Sequence, residues 1–165
     1  MNASYVTIVL AATLVVLGWY ARVYMKTNDD FQIIQLNLSQ ITDDHLNEKY
    51  PILIEDKVVD ISTLLISLFK YQYVFKKEFV LNPNTTAFQN VQKYMVLHNA
   101  SDSDAKISIR PPTKSSPKTA EAVKLDTVIP PYNVLILPYK WVISIDAQQL
   151  NGYLLNDFIH RFFHR

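Results

Sequence analysis

The chain has 165 residues, of which only 2 are glycine where ordinary usage would give roughly a dozen. Phosphate-cradling loops and dinucleotide fingerprints need several glycines close together; Gly18 and Gly152 stand far apart, which excludes Walker-type nucleotide hydrolases, glycine-rich-loop kinases and Rossmann oxidoreductases. A hydrophobic fraction of 49% with a formal net charge of +1 excludes a disordered tail and a polybasic nucleic-acid binder, and the absence of Cys excludes disulfide scaffolds, thiolate zinc sites, iron–sulfur centres and cysteine nucleophiles.

From Met1 to Ala21 no side chain is charged, and the run YVTIVLAATLVVLGWYA is apolar around its whole circumference. At 1.5 Å per residue, Ala3 to Ala21 reaches roughly 28 Å, close to the hydrocarbon thickness of a bilayer. Trp19, Tyr20 and Tyr24 follow where an interfacial aromatic belt would sit, with Arg22 and Lys26 beside them. The pattern predicts a transmembrane anchor with its flank over residues 1–26 and a single β-rich domain over 27–165. A cleaved secretory signal is the alternative, but MNAS carries no basic side chain and GWYARVYM offers bulky residues where a peptidase needs small ones. Arg22 and Lys26 place the C-terminal domain on the cytoplasmic side by the positive-inside rule. Four glycosylation sequons, at Asn2, Asn37, Asn84 and Asn99 among 11 Asn, keep a lumenal or cell-surface domain open as an alternative.

Beyond the hinge TNDD, the stretch FQIIQLNL alternates Ile34, Leu36 and Leu38 with Gln35 and Asn37, the pattern of a half-buried strand. SQITDDHLNEKY is polar and ends at Pro51, and YPILIEDKVVD reads as a hairpin or a strand and turn. Asp60 is placed to cap a helix whose apolar positions are Ile61, Leu64, Leu65, Leu68 and Phe69. In YQYVFKKEFVL, the residues Tyr71, Tyr73, Phe75, Phe79 and Leu81 share one strand face. Further strands are predicted at KYMVLHN, AKISIR, VKLDTVI, NVLILP and KWVISID, a succession that suggests a β-sandwich or barrel. The segment from Pro111 to Ala122, with three prolines and the cations Lys114 and Lys118 close to Arg110, reads as an exposed excursion. LLNDFIHRFFHR carries Leu154, Leu155, Phe158, Ile159, Phe162 and Phe163 on one broad face and predicts a closing helix. With Gly18 in the apolar run, the domain's turns fall to Asn, Asp and Pro.

No catalytic constellation emerges. His160 and His164 have the i, i+4 spacing of a zinc helix, but Arg161 stands where a catalytic Glu belongs, and a basic helix end meeting the dipole explains them better. His98 closes a predicted strand without the further His and carboxylate that a cupin metal site requires. Asp102 and Asp104 lack the glycine and distal Glu of a calcium loop, and the pairs Asp29-Asp30, Asp43-Asp44 and Glu55-Asp56 lie in polar connections. No enzymatic activity, metal or cofactor is therefore expected. Most of the 10 Tyr, 8 Phe and 2 Trp fit core faces. Tyr132, Tyr139 and Trp141, around IPPYNVLILPYKW, lie at strand ends and are candidates, with Lys114 and Lys118, for binding a partner protein.

The order of an N-terminal anchor, then YPILIEDKVVDISTLLISLFKYQYVFKKEF, then IPPYNVLILPYKWVISID resembles small membrane-anchored, minor-capsid-type proteins of large icosahedral DNA viruses. NVLILP leading into a tryptophan-bearing strand is also similar to the closing half of a cupin-like jelly roll. The resemblance implies a virion component whose helix lies in an internal membrane and whose jelly-roll-like domain, with one internal and one C-terminal helix, reaches the capsid shell. Its implied partners are membrane lipid and capsid or other virion proteins, with no nucleic acid. The cupin metal motif is missing, so no metal or enzymatic role comes with it. A membrane-tethered cupin-like enzyme or ligand-binding domain is the second reading, and a lumenal glycosylated binding domain the third.

Overall fold

The computed structural model describes residues 3–25, 27–28, 30, 32–70, 75–83, 85, 87–112, 124–157 and 161. In chain order these form helix α1 (Ala3–Met25), strand β1 (Ile34–Leu36), a 3-10 turn (Leu38–Gln40), α2 (Asp43–Asn47), β2 (Ile52–Ile54) and α3 (Ile61–Phe69). Eight strands follow: β3 (Lys77–Leu81), β4 (Phe88–Gln89), β5 (Tyr94–His98), β6 (Ala105–Arg110), β7 (Leu125–Ile129), β8 (Val134–Pro138), β9 (Val142–Ile145) and β10 (Leu150–Leu155).

The pairing of those eight is nested. β3 pairs with β10, β4 with β9, β5 with β8 and β6 with β7, all antiparallel. Such a ribbon rolls up when its two limbs also pair sideways, as β10 does with β5 and β9 with β6. The result is a jelly roll of two sheets, β8-β5-β10-β3 and β4-β9-β6-β7. The larger sheet is extended past β8 by β2 and then β1, which lies parallel to β2.

Alternation along the strands divides the core in two. Met95 and Leu97 of β5, Leu135 and Leu137 of β8, Ile107 and Ile109 of β6, and Ile143 and Ile145 of β9 fill the space between the sheets with Trp141. The intervening residues Tyr94, Val96, Val134 and Ile136 face outward and are covered by Leu46 of α2 and Leu64, Leu65 and Phe69 of α3. Both β5 and β8 are therefore buried along their whole length. That is why NVLILP reads as a continuous apolar run instead of an alternating one.

Asp60 caps α3 as the sequence predicts, accepting the backbone N–H groups of Ser62 (3.0 Å) and Thr63 (3.4 Å). The polar stretch before Pro51 contains α2, whose cap is reciprocal: Thr42 Oγ1 accepts the N–H of His45, and the Thr42 N–H donates to His45 Nδ1 at 3.2 Å. The expected strand face through Phe75 needs correction: β3 starts at Lys77, Phe75 has 3-10 geometry ahead of it, and Tyr71 and Tyr73 lie outside the described residues. The expected closing helix needs correction at its first two residues. Leu154 and Leu155 end β10, one on each face of the sheet, and both are packed against apolar neighbours. Two adjacent packed leucines, Leu155 buried and Leu154 partly so, imitate a helical doublet. Of the remaining residues only Asn156, Asp157 and Arg161 are described, Arg161 being helical with its N–H on the Asp157 carbonyl at 3.1 Å.

Glycine's scarcity shows in the turns. Among the described residues, left-handed backbone occurs at Lys49 (φ 63°), Lys70 (φ 35°), Tyr132 (φ 63°) and Lys140 (φ 68°). Asparagines work beside them as internal clamps. Asn99, fully buried, directs Nδ2 at the carbonyls of Ser103 (2.8 Å), Ile129 (2.9 Å) and Pro130 (3.2 Å), while its Oδ1 accepts the Ser101 hydroxyl at 2.6 Å. Asn90 does the same for Leu137 (3.0 Å) and Pro138 (2.9 Å). Gly152 has another task. It lies in β10 directly opposite Phe79, where a Cβ would collide with the Phe79 ring. That ring stacks on Phe88 with centroids 5.2 Å apart, closing the sandwich between the edge strands β3 and β4.

Gly152→Ala should lower the free energy of unfolding by about 1–3 kcal/mol, because an added methyl overpacks the ring, and Phe79→Leu in the same chain should recover part of the loss in denaturant titrations. Asn99→Ala should cost about 2–4 kcal/mol by leaving buried carbonyls without donors. The wild-type protein made in a glycosylating host should carry no glycan at Asn99, as a mass measurement of its peptide would show.

Candidate functional site

The foot of α1 meets the domain through Tyr20. The last turns of α1 bring Tyr20 against the domain, its hydroxyl donating to Asp157 Oδ2 just past the end of β10. Lys93, immediately before β5, forms an ion pair with the same carboxylate at 2.9 Å, both side chains being largely shielded at 15% and 17% exposure. The Lys93 ammonium also stands 5.6 Å from the Tyr20 ring centroid and 5.8 Å from that of Tyr94.

Tyr94 carries the next layer. Lys49 Nζ lies 4.8 Å over its ring and donates to its hydroxyl at 3.4 Å, while the hydroxyl in turn donates to the Leu46 carbonyl at 3.4 Å. Phe69 of α3 tilts against Tyr94 at 5.2 Å. A cleft of about 300 Å³ opens beside this stack, lined among others by Asp43, Leu68, Phe69, Lys70, Lys93 and Tyr94. Burial, reinforced by the charge of Lys93, pushes the Lys49 ammonium down to about 8. Burial also lowers Lys93, and burial together with the Asp43 carboxylate raises the Tyr94 phenol. Two ammonium groups crowded around one ring, with one carboxylate bonded to Lys93, make this a cation-rich pocket at the foot of the helix. Its members are far apart in sequence, so no spacing signal reveals it; a lysine next to a tyrosine is an ordinary dipeptide until β5 and α2 converge.

The sequence-derived candidates scatter. Trp19 is 66% exposed on α1, and Arg22 is exposed in its last turn. Tyr24 belongs to the same helix, its side chain lying outside the described residues, as does Lys26 altogether. Lys114 and Lys118, with the rest of the 113–123 segment, also fall outside them. Tyr139 and Trp141 require correction as docking residues: Tyr139 is 8% exposed and Trp141 is fully enclosed between the sheets. The tight turn that reverses the chain between β8 and β9 folds Trp141 inward, and its Nε1–H has no acceptor among the described residues. Tyr132 is half-buried at the other end of β8, its hydroxyl donating to Asp102, so the three aromatics do not form one surface.

His98 points away from the space between the sheets. Its Nε2 lies 2.9 Å from the Val58 carbonyl, and burial lowers its pKa, leaving a neutral imidazole that donates to that carbonyl. His160 and His164 lie outside the described residues, and among the described residues no three His, Asp or Glu side chains are grouped to hold a metal ion.

Because Lys49 titrates lower in the folded chain than in the unfolded one, the unfolded chain binds the extra proton between about pH 8 and the ordinary lysine value. Stability should therefore rise with pH across that window, the burial cost being fully present below it. Lys49→Met should remove this alkaline gain and stabilise the protein at neutral pH by about 1–3 kcal/mol. Urea titrations at several pH values measure both effects.

Neither a protein-family model nor a curated protein sequence matches the chain. Among solved structures it is similar to RmlC from Streptococcus suis, described in complex with dTDP-D-xylose, with 11% identity and a TM-score of 0.36 over 66% of this chain and 62% of that one. The chain thus matches less than two thirds of that protein's length, and the jelly-roll assignment stands on the strand pairing itself.

Proposed function

We propose that this is a single-pass, membrane-anchored structural protein without enzymatic activity, linking an internal viral membrane to a capsid shell through protein contacts of its β-domain. The observation that carries the membrane part is α1. Its window Ser4–Val23 has a mean hydropathy of 1.9 with none of it buried against the rest of the protein. A core helix of a soluble protein hides such a surface, whereas this one presents apolar side chains on every side. The two apolar clusters of the described domain include no residue of α1.

The non-enzymatic part is supported by the filling between the sheets. The side chains there are apolar, mostly aliphatic with Trp141 among them and Phe79 and Phe88 at the edge, so the space that a jelly roll can give to a ligand is occupied by core. Arg22 at the end of the helix supports a cytoplasmic-side domain. The viral assignment rests on the resemblance in element order, and anchoring supports a linking role in its own right. A tethered domain meets its partners at raised effective concentration, so modest interfaces suffice.

Alkaline extraction of membranes expressing the full chain tests the anchor: the protein should stay in the pellet, while a chain starting after residue 26 should be soluble and folded. N-terminal sequencing that finds the mature protein beginning beyond Met25 would overturn the anchor in favour of a removed signal. In infected cells the full chain should co-purify with particles and remain with the membrane after the shell is stripped.

A further inference from the structure

The strand registers give the domain two ends. Tyr94 pairs with Pro138 and Leu155, and Lys77 with Leu154, so the starts of β3 and β5 and the ends of β8 and β10 lie together where Tyr20 meets Lys93 and Asp157. At the far end His98 pairs with Val134 and Asn151.

The ends differ in charge. The helix end carries Arg22, Lys70, Lys77, Lys93, Lys140 and Arg161, of which Arg22, Lys70, Lys77 and Arg161 are exposed. Arg110, opposite Val142, adds to the same rim. Two of the carboxylates there are already engaged, Glu78 by Lys76 at 2.6 Å and Asp157 by Lys93 at 2.9 Å, while Asp43 lies in the cleft beside Lys70 and Lys93; Asp30 accepts the Tyr50 hydroxyl at 3.0 Å, and Asp44 and Glu48 belong to α2 and its cap. The turns at the far end carry Glu55, Asp56, Asp102, Asp104 and Asp146 against Lys57. The whole chain has a formal net charge of only +1, so the contrast lies in the arrangement and not in the total.

The geometry points to the basic end as a second membrane contact: a face that lies on an anionic lipid leaflet, its ligands the phosphate and carboxylate headgroups around the anchor. This rests on the membrane-anchored reading above. The Tyr20 junction brings the rim to the foot of the helix, so a helix inserted only as far as its Trp19–Tyr20 aromatic belt holds these cations at the level of the headgroups, where a negative surface potential attracts them. The acidic end then faces away from the bilayer, which repels it.

The test uses the full chain in phosphatidylcholine vesicles with and without phosphatidylserine. The sequence has no Cys, so Ser67→Cys in the last turn of α3 and Ala147→Cys in the far turn each give a single labelling site for a dye. A nitroxide on the lipid headgroup should quench the Ser67→Cys dye several-fold more when phosphatidylserine is present and should leave the Ala147→Cys dye unaffected. High salt should abolish the gain in the wild-type background, and so should Lys70→Glu, Lys77→Glu and Arg161→Glu together. Equal quenching with and without phosphatidylserine, in protein that stays with the vesicles through an alkaline wash, overturns the lipid-facing assignment and leaves the anchor standing. Protein removed from both kinds of vesicle by that wash overturns both.

Discussion

Burial of β5 and β8 on both faces is the constraint around which the rest of the fold is arranged. A strand of that kind presents apolar side chains up and down, so two covers are required. One is the second sheet of the jelly roll; the other is the layer of α2 and α3 with Leu46, Leu64, Leu65 and Phe69. Each fully buried Leu, Ile or Val contributes about 1.5–3 kcal/mol against exposure, so stripping either cover would expose far more than the few kcal/mol by which a domain of this size is stable. The elements preceding the roll, β1, β2, α2 and α3, are therefore part of the core and not an appendage to it.

The second constraint is the near absence of glycine. Among the described residues four that are not glycine adopt left-handed backbone, three of them lysines, and each carries a steric cost that glycine would avoid. Buried asparagines offset it by supplying the donors that neighbouring turn carbonyls need. The glycine the domain does keep is used where no other residue fits, under the Phe79 ring that closes the sandwich edge. Scarcity of glycine thus leads to a rigid set of clamped turns rather than to loops able to wrap a phosphate.

Much of this was legible beforehand. The apolar run of α1, the Asp60 cap and strands β5 to β9 follow from period and punctuation alone, since each signal is local. β10 was hidden because Leu154 and Leu155, adjacent and both packed, satisfy two faces of a sheet as readily as one face of a helix. α2 was hidden by its cap, in which a histidine stands where Glu or Gln usually marks a helix start. β4, with two residues, has no period to read. The burial of Trp141 and Tyr139 depends on which way one turn folds, a tertiary decision that strand-end position does not reveal. The basic pocket was invisible for the same reason: Tyr20, Lys49, Lys93 and Asp157 are brought together only by the roll.

That pocket is also where the helix and the domain become one mechanical object. Lys93 precedes β5 and Asp157 follows β10, and these two strands are neighbours in the middle of the larger sheet. The helix foot is consequently fastened to the centre of the sheet instead of to an edge strand that could fray. A shielded ion pair of this kind resists screening better than one in open solvent, yet each partner becomes a liability if the other is lost. Tyr20 shares the same carboxylate, so tilting the helix away from the domain breaks a hydrogen bond and a cation–π contact while leaving the Lys93–Asp157 pair more exposed to water. In the proposed arrangement the orientation of the domain over the bilayer is then set by side chains of the roll's central strands, and the basic rim and the anchor act on the same surface together.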